Sequence, residues 1–140
     1  MILGIGIDLA EQKRIRLAFE RFGPRFRDRV FTEPEIAFCE AVADKYSSYA
    51  ARFAAKEAFS KALGTGLRGV IAWRDIQVND NERSRPTIAV FGYARRLLGK
   101  RRVHVSLSHT SDYAAAVVVI EEQIPENREL ALPEAQNLSG

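Results

Sequence analysis

The feature that most constrains the fold is a helical segment over residues 48–63, which is dense in alanine and ends at Gly64-Thr65-Gly66. Glycine often closes a helix because it accepts the left-handed backbone conformation that other residues avoid. Ala, Phe and Leu side chains surround much of the circumference of this segment. A helix that is apolar on several sides is buried on several sides. The sequence therefore predicts a long central helix with the rest of the chain packed around it.

Shorter helices and strands are indicated on both sides of this segment. Residues 11–22 have apolar side chains at helical spacing, Gly23-Pro24 should stop that helix, and Thr32 can cap a second helix running through Cys39. A short helix is expected over 93–98, and strand patterns occur at 2–7, 76–78, 87–90, 103–107 and 114–120. The second and third strands should form a hairpin, and the last two should pair antiparallel. Because helices and strands are partly segregated, the predicted class is α+β, with a small antiparallel-rich sheet packed on the central helix.

Length bounds the number of domains. At 140 residues the chain is close to the commonest size of one domain, and we predict a single domain over residues 1–120. Residues 121–140 hold five glutamates, two prolines and no apolar period. They are predicted to form an acidic, mobile tail.

The location of the protein follows from what the sequence lacks. The longest apolar run, residues 113–120, is far shorter than the roughly 20 residues that a membrane-spanning helix needs. The N-terminal segment reaches Asp8 without a preceding basic region, and the single cysteine, Cys39, agrees with a reducing compartment. We therefore expect a cytoplasmic protein with no membrane partner.

Charge is distributed unevenly along the chain. Residues 1–120 contain 20 Lys and Arg against 13 Asp and Glu, whereas residues 121–140 contain one against five. A basic body attracts nucleic acid, a phosphorylated cofactor or an acidic protein through the same long-range field. Basic and aromatic residues within 22–27 faintly suggest a nucleic-acid module. That alternative leaves the charges on the central helix unexplained, and we expect no nucleic-acid partner.

The central helix carries two neighbouring polar stripes. Arg52, Lys56 and Ser60 repeat at i, i+4 and i+8, and Glu57 and Lys61 follow the same spacing about 100° around the helix. A solvated face with a Glu57–Lys61 pair is the ordinary explanation. However, the remaining positions are apolar and mostly small, and charges on a packed helix are costly unless they face a ligand or a partner.

Asp8 and Glu57 together offer two hard oxygen ligands. Asp8 follows the first strand, where a carboxylate can face a cleft, although it could instead cap the segment that begins near Ala10. Mg²⁺ is commonly held by one or two carboxylates, waters and substrate phosphates. His109 and Gly64-Thr65-Gly66 are either ordinary turn residues or phosphate contacts. The sequence has no Walker-type phosphate loop, dinucleotide-binding motif, zinc-protease motif or paired cysteines, so Mg²⁺-dependent phosphate chemistry remains.

Four sequence blocks resemble the holo-acyl-carrier-protein synthase family of the small bacterial type. In chain order they are GIGIDL at 4–9, FTE at 31–33, RFAAKEAFSKALGTG at 52–66 and SLSHT at 106–110, followed by Tyr113-Ala114. The resemblance implies the 4′-phosphopantetheinyl transferase fold, and a homotrimer that binds coenzyme A in clefts between subunits. It implies transfer of the phosphopantetheine arm of coenzyme A to a serine hydroxyl of apo acyl carrier protein, with release of adenosine 3′,5′-bisphosphate. Fatty acid biosynthesis is the expected pathway, and polyketide or peptide carriers are the alternatives.

The resemblance also assigns roles to individual residues. Asp8 and Glu57 occupy the Mg²⁺-binding positions of the family. The residues expected to contact coenzyme A are Arg52, Lys56, Ser60, Lys61, Gly64, Pro86, His109 and Thr110. Family members often carry adjacent basic residues in the segment before Arg52, where this chain has Asp44-Lys45, so Lys45 is the one candidate there for a nucleotide phosphate.

The expected mechanism follows from charge. Mg²⁺ would bridge pyrophosphate oxygens while Lys56 or Lys61 offsets the charge that develops on the leaving side. Glu57, directly or through a metal-bound water, is the expected general base, and a water held by Asp8 is the alternative. The predicted catalytic residues are therefore Asp8, Glu57 and Lys61.

The first helix offers a surface for an acidic partner. Arg14 and Arg21 are seven residues apart and share a face, and Arg25 follows closely. These arginines are expected to bind the acidic carrier protein, unless they form only a solvated basic face.

Overall fold

The computed structural model describes residues 1–67, 71–80 and 85–123. In chain order the elements are β1 (Ile2–Glu11), α1 (Gln12–Phe22), α2 (Pro24–Val30), α3 (Glu33–Ala41), α4 (Lys45–Leu63), a 3₁₀ turn (Trp73–Asp75), β2 (Ile76–Asn79), β3 (Thr87–Val90), α5 (Gly92–Leu98), β4 (Arg102–His109) and β5 (Tyr113–Glu121). The main sheet has the order β1-β5-β4, and β2 pairs with β3. Every neighbouring pair is antiparallel. The predicted α+β class is confirmed.

The long helix α4 is the central element, as predicted, and one face of the main sheet packs against it. A Cβ atom on Gly6 would overlap the carbonyl oxygen of Ala58, and one on Gly4 would overlap that of Ala62. Strand and helix can touch here because both positions are glycine. Side chains alternate along a strand, so Asp8 lies on the same face of β1 and is held beside α4.

An aromatic cluster joins the first two helices to α4. The ring centroid of Phe19 in α1 lies 4.7 Å from that of Tyr49 in α4, and Phe31 lies at the same distance from Tyr49. Phe31 and Tyr49 are completely buried. The cluster fixes α1, which carries the predicted carrier-binding arginines, against the helix that carries the predicted catalytic residues.

Two element boundaries differ from the prediction near functional residues. β1 continues to Glu11, because its pairing with β5 extends as far as Tyr113. Asp8 therefore lies inside the strand, and its interpretation as a helix cap is wrong. α4 begins at Lys45, where the Asp44 carboxylate accepts a hydrogen bond from the backbone N–H of Ser47 (3.3 Å).

The helix α2 was not predicted. Gly23-Pro24 ends α1, as expected, but the same two residues also start α2. Gly23 has a φ of 58°, which turns the chain sharply, and Pro24 is the first helical residue. Proline is favoured at that position because its missing N–H would have no helical partner there.

The first two residues of the predicted tail, Glu121 and Glu122, belong to the folded part of the chain. β5 includes Glu121, and the backbone N–H of Glu122 donates to the carbonyl oxygen of Met1 (2.8 Å). Residues 124–140, which make up most of the predicted tail, lie outside the described residues. Among the helices within the three described ranges, none is both long and apolar enough to cross a membrane.

Candidate active site

Asp8, Glu57 and Lys61 come together where β1 lies against the C-terminal half of α4. The Lys61 ammonium donates to Asp8 Oδ1 (2.9 Å) and to the carbonyl oxygen of Ile7 (3.3 Å). The Asp8 side chain is 13% exposed, whereas that of Lys61 is 54% exposed. The carboxylate is therefore largely removed from water while the ammonium next to it stays accessible.

Glu57 has an unusual proton affinity in this cluster. Its pKa is raised to about 7, first by burial and second by the neighbouring Asp8 carboxyl, while the charges of Lys61 and Arg14 oppose the shift. A carboxyl group whose pKa lies near neutrality can exchange a proton under working conditions. The cluster thus contains two carboxyl groups that could hold a metal ion, one of which is suited to general base catalysis.

The donor set at Asp8 and Glu57 suits a hard divalent cation. Asp8 Oδ2 is buried and has no hydrogen-bond partner among the described residues. A buried carboxylate oxygen of this kind is costly unless a cation or donor satisfies it, and a second carboxyl lies beside it. Within the described ranges no group of three His, Cys, Asp or Glu side chains is assembled to hold a metal ion. Waters and substrate phosphates would complete the shell, as is common for Mg²⁺.

A cavity of about 680 Å³ beside the N-terminal half of α4 forms a second site. It brings together three residues that are predicted to contact coenzyme A, which are Arg52, Pro86 and His109. Phe38, Ser48 and Arg85 also line it, and no sequence motif indicated them. Among the described residues that line this cavity, none belongs to the Asp8 cluster. One chain therefore presents the predicted residues as two separate groups.

Lys56 lies in the core, away from both sites. Its ammonium contacts Glu35 Oε1 (2.6 Å) and the carbonyl oxygens of Val30 (2.8 Å) and Trp73 (3.1 Å), and the Lys56 and Glu35 side chains are both fully buried. Burial lowers the pKa of Lys56, and the Glu35 carboxylate opposes that shift. These partners use the three donors of the ammonium. Lys56 is thus held in the core of this chain, and its role in coenzyme A binding and leaving-group stabilisation stays a prediction.

Four other predicted coenzyme A contacts are engaged within the chain. Lys45 lies 3.4 Å from a carboxylate oxygen of Glu40, measured from its ammonium nitrogen. The Ser60 hydroxyl donates to a backbone carbonyl of its own helix (2.7 Å), and Gly64 ends α4 with a φ of 85°. The Thr110 hydroxyl accepts from the backbone N–H of Tyr113 at the start of β5 (3.1 Å). Their roles in coenzyme A binding stay predictions.

The predicted carrier surface on α1 and α2 is open to solvent. Arg14, Arg21 and Arg25 are all exposed, and Arg14 is close enough to Glu57 for its charge to affect the pKa of that carboxyl. Phe22 is 53% exposed, with the Arg21 guanidinium 5.2 Å from its ring centroid. Periodicity assigned Phe22 to the apolar stripe of α1, and its exposure makes it a candidate contact that the sequence alone did not reveal.

Comparisons with known proteins identify the family of this chain. A family model described as the 4′-phosphopantetheinyl transferase superfamily matches residues 4–118. The chain therefore belongs to the 4′-phosphopantetheinyl transferase superfamily, and it is an enzyme of that class. Its relatives are holo-[acyl-carrier-protein] synthases, and the one from Koribacter versatilis is 47% identical over 125 residues, which are 87% of this chain and 100% of that protein.

Solved structures of such synthases share the fold. The enzyme from Neisseria meningitidis gives a TM-score of 0.78 at 36% identity and covers 87% of this chain and 100% of its own. The enzyme from Helicobacter pylori, solved in complex with coenzyme A, gives a TM-score of 0.75 at 34% identity and covers 84% and 99%. The family predicted from the four sequence blocks is confirmed.

Proposed function

We propose that this chain is a Mg²⁺-dependent enzyme that transfers the 4′-phosphopantetheine group of coenzyme A to a serine hydroxyl of apo acyl carrier protein. The observation that carries the proposal is the cluster of Asp8, Glu57 and Lys61, in a chain whose relatives are holo-[acyl-carrier-protein] synthases. The coenzyme A complex of the Helicobacter pylori relative supports coenzyme A as the donor. We assign the reaction to fatty acid biosynthesis in the cytoplasm.

Asp8 and Glu57 would hold the Mg²⁺ ion in this mechanism. When bound, Mg²⁺ offsets negative charge on the pyrophosphate of coenzyme A and polarises the phosphorus under attack. Lys61 orients the Asp8 carboxylate through the 2.9 Å ion pair. Its accessible ammonium also stabilises the charge that develops on the departing phosphate.

Glu57 is the proposed proton acceptor. The carrier serine oxygen forms a bond to the β-phosphorus, its proton passes to Glu57, and the bond between the β-phosphorus and the bridging oxygen breaks. Adenosine 3′,5′-bisphosphate leaves with that oxygen. In the metal-free chain the pKa of Glu57 is raised to about 7, so this carboxyl is a stronger base than an ordinary glutamate. A water held by Asp8 is the alternative acceptor.

We propose that three copies assemble through the outer face of the main sheet. On this face Ile5, Ile7 and Leu9 are 62%, 63% and 65% exposed. A contiguous apolar patch of this kind marks an interaction surface. Arg52 and Glu57 are five residues apart on α4 and thus about 140° apart around it. Assembly would allow the nucleotide cavity of one subunit to meet the Asp8 cluster of the next.

The trimer is tested by light scattering on the purified protein. The wild-type chain should have three times the mass of one subunit. Ile7→Lys, which changes an exposed side chain, should give folded monomers with little transferase activity. A wild-type monomer that is fully active, or a trimer unaffected by Ile7→Lys, would contradict this assembly.

The carrier is proposed to dock on α1 and α2. Arg14, Arg21 and Arg25 supply positive charge to an acidic partner, and exposed Phe22 supplies apolar contact area. Arginine and aromatic side chains are the residue types that most often dominate binding energy at interfaces.

Mass spectrometry of the carrier tests the reaction itself. Apo acyl carrier protein incubated with the enzyme, coenzyme A and Mg²⁺ should gain the mass of one phosphopantetheine group. A carrier whose acceptor serine is replaced by alanine is the control and should gain nothing. An unmodified wild-type carrier at high enzyme concentration would refute the proposed function.

A further inference from the structure

Arg52 is a buried cation that lines the 680 Å³ cavity. Arg52 is only 2% exposed, and its guanidinium carbon lies 4.3 Å from the centroid of the Phe38 ring. Nη1 donates to Ser48 Oγ (2.8 Å) and to the Ser48 carbonyl oxygen (3.3 Å). Nε is buried with no hydrogen-bond partner among the described residues. Within those same residues no carboxylate forms an ion pair with Arg52, so neutral groups hold this charge in place.

Ser48 is fixed by a second neighbour. A guanidinium can only donate, so Ser48 Oγ is the acceptor in its bond with Arg52. The same hydroxyl oxygen lies 3.2 Å from the Sγ atom of Cys39, which is completely buried in α3. Ser48 is thereby tied to α3 while it holds the arginine one helical turn further along α4.

We propose that Ser48 is a positioning residue for nucleotide binding, which fixes Arg52 so that its guanidinium meets a phosphate of the nucleotide without rearranging. The inference rests on the proposed function, because the nucleotide is the adenosine 3′,5′-bisphosphate part of coenzyme A. An arginine side chain that becomes ordered only on binding loses rotamer freedom, and this entropy loss weakens the affinity. An arginine that is already ordered does not incur this loss. The Phe38 ring supports the guanidinium plane, but the directional bond to Ser48 fixes its rotation within that plane.

The variant Ser48→Ala removes the acceptor and keeps helix propensity, because alanine is the best helix former. We expect the Kd for adenosine 3′,5′-bisphosphate, measured by calorimetry, and the KM for coenzyme A to rise by about 5- to 20-fold. At saturating coenzyme A, kcat should change by less than about twofold, since the residue acts on binding. Ser48→Thr keeps the hydroxyl and should restore both constants.

A double-mutant cycle separates positioning from general damage to the helix. In an Arg52→Met background, Ser48→Ala should have no further effect on Kd, because Ser48 acts through Arg52. Provided that the wild-type enzyme modifies the carrier, any of three results would overturn the inference. These are an unchanged Kd for Ser48→Ala, equal effects of Ser48→Ala in both backgrounds, and failure of Ser48→Thr to restore binding. Absence of carrier modification by the wild-type enzyme would instead refute the proposed function.

Discussion

Replacing Lys56 with methionine tests whether its ion pair belongs to the core. Methionine keeps most of the apolar stem but removes an ammonium that contacts Glu35 (2.6 Å) and the carbonyl oxygens of Val30 and Trp73 (2.8 and 3.1 Å). The Glu35 carboxylate, fully buried, then lacks its counter-charge. Breaking a buried pair from one side costs about 3 to 5 kcal/mol. Two backbone N–H groups still donate to Glu35 (2.9 and 3.0 Å), so we expect a loss near the lower end of that range.

Urea denaturation at one fixed protein concentration measures this loss, since assembly makes apparent stability concentration-dependent. Glu35→Gln/Lys56→Met removes both charges and should regain at least about half of the lost unfolding free energy. Lys61→Met is the comparison on the same helix. Because the Lys61 side chain is exposed, this variant should lose turnover but should lose less stability than Lys56→Met. If Lys56→Met kept wild-type stability and weakened coenzyme A binding, the stabilising role of the Lys56–Glu35 pair would be refuted and the predicted binding role of Lys56 supported.

Two further outcomes are expected from changes at the surface sites. Asp8→Asn and Glu57→Gln should each lower turnover by at least about 10²-fold in folded protein, because removing one preorganised electrostatic group has an effect of this size. If either variant kept near wild-type turnover at low Mg²⁺, the metal site would lie elsewhere. Reversing both Arg14 and Arg21 to Glu should raise the carrier KM severalfold, reduce its dependence on salt and leave the KM for coenzyme A nearly unchanged. An equal loss for coenzyme A would assign these arginines to the nucleotide site.

The meeting of Asp8, Glu57 and Lys61 has a basis that can be read in the sequence. Glu57 and Lys61 are four residues apart on a predicted helix, so they share a face regardless of the tertiary structure. The resemblance to a known family then placed Asp8 in the same site. Glycines on the α4-facing side of β1 are a local signal for the close approach that joins strand and helix.

The places of Lys56 and Ser48 could not be predicted in the same way. The spacing of Arg52, Lys56 and Ser60 indicates one common stripe, but it does not say what packs over each part of that stripe. Lys56 is covered by the ends of α2 and the 3₁₀ turn and by Glu35 of α3. Ser48 reaches Arg52 by helix geometry, yet its second contact to Cys39 depends on how α3 packs. Non-local contacts decide both roles.

The raised pKa of Glu57 has a consequence for stability that can be measured without substrate. The ordinary pKa of 4.5 applies to the unfolded chain, whereas the folded value is about 7, raised mainly by burial and then by Asp8. Between these values the folded state binds more protons, so the free energy of unfolding falls as pH rises from about 4.5 to 7. The full shift corresponds to about 3 kcal/mol, but Glu57 is only half-buried and solvent screening reduces this to about 1 to 2 kcal/mol. Urea denaturation in EDTA across pH 5 to 8 should therefore show a steeper decline in unfolding free energy for wild type than for Glu57→Gln. The variant should be the more stable protein at pH 8.

The control is Glu20→Gln, which changes an exposed residue and should follow the wild-type slope. Identical slopes for wild type and Glu57→Gln would mean that burial and Asp8 do not hold a proton on Glu57, and would remove the physical basis for its role as proton acceptor.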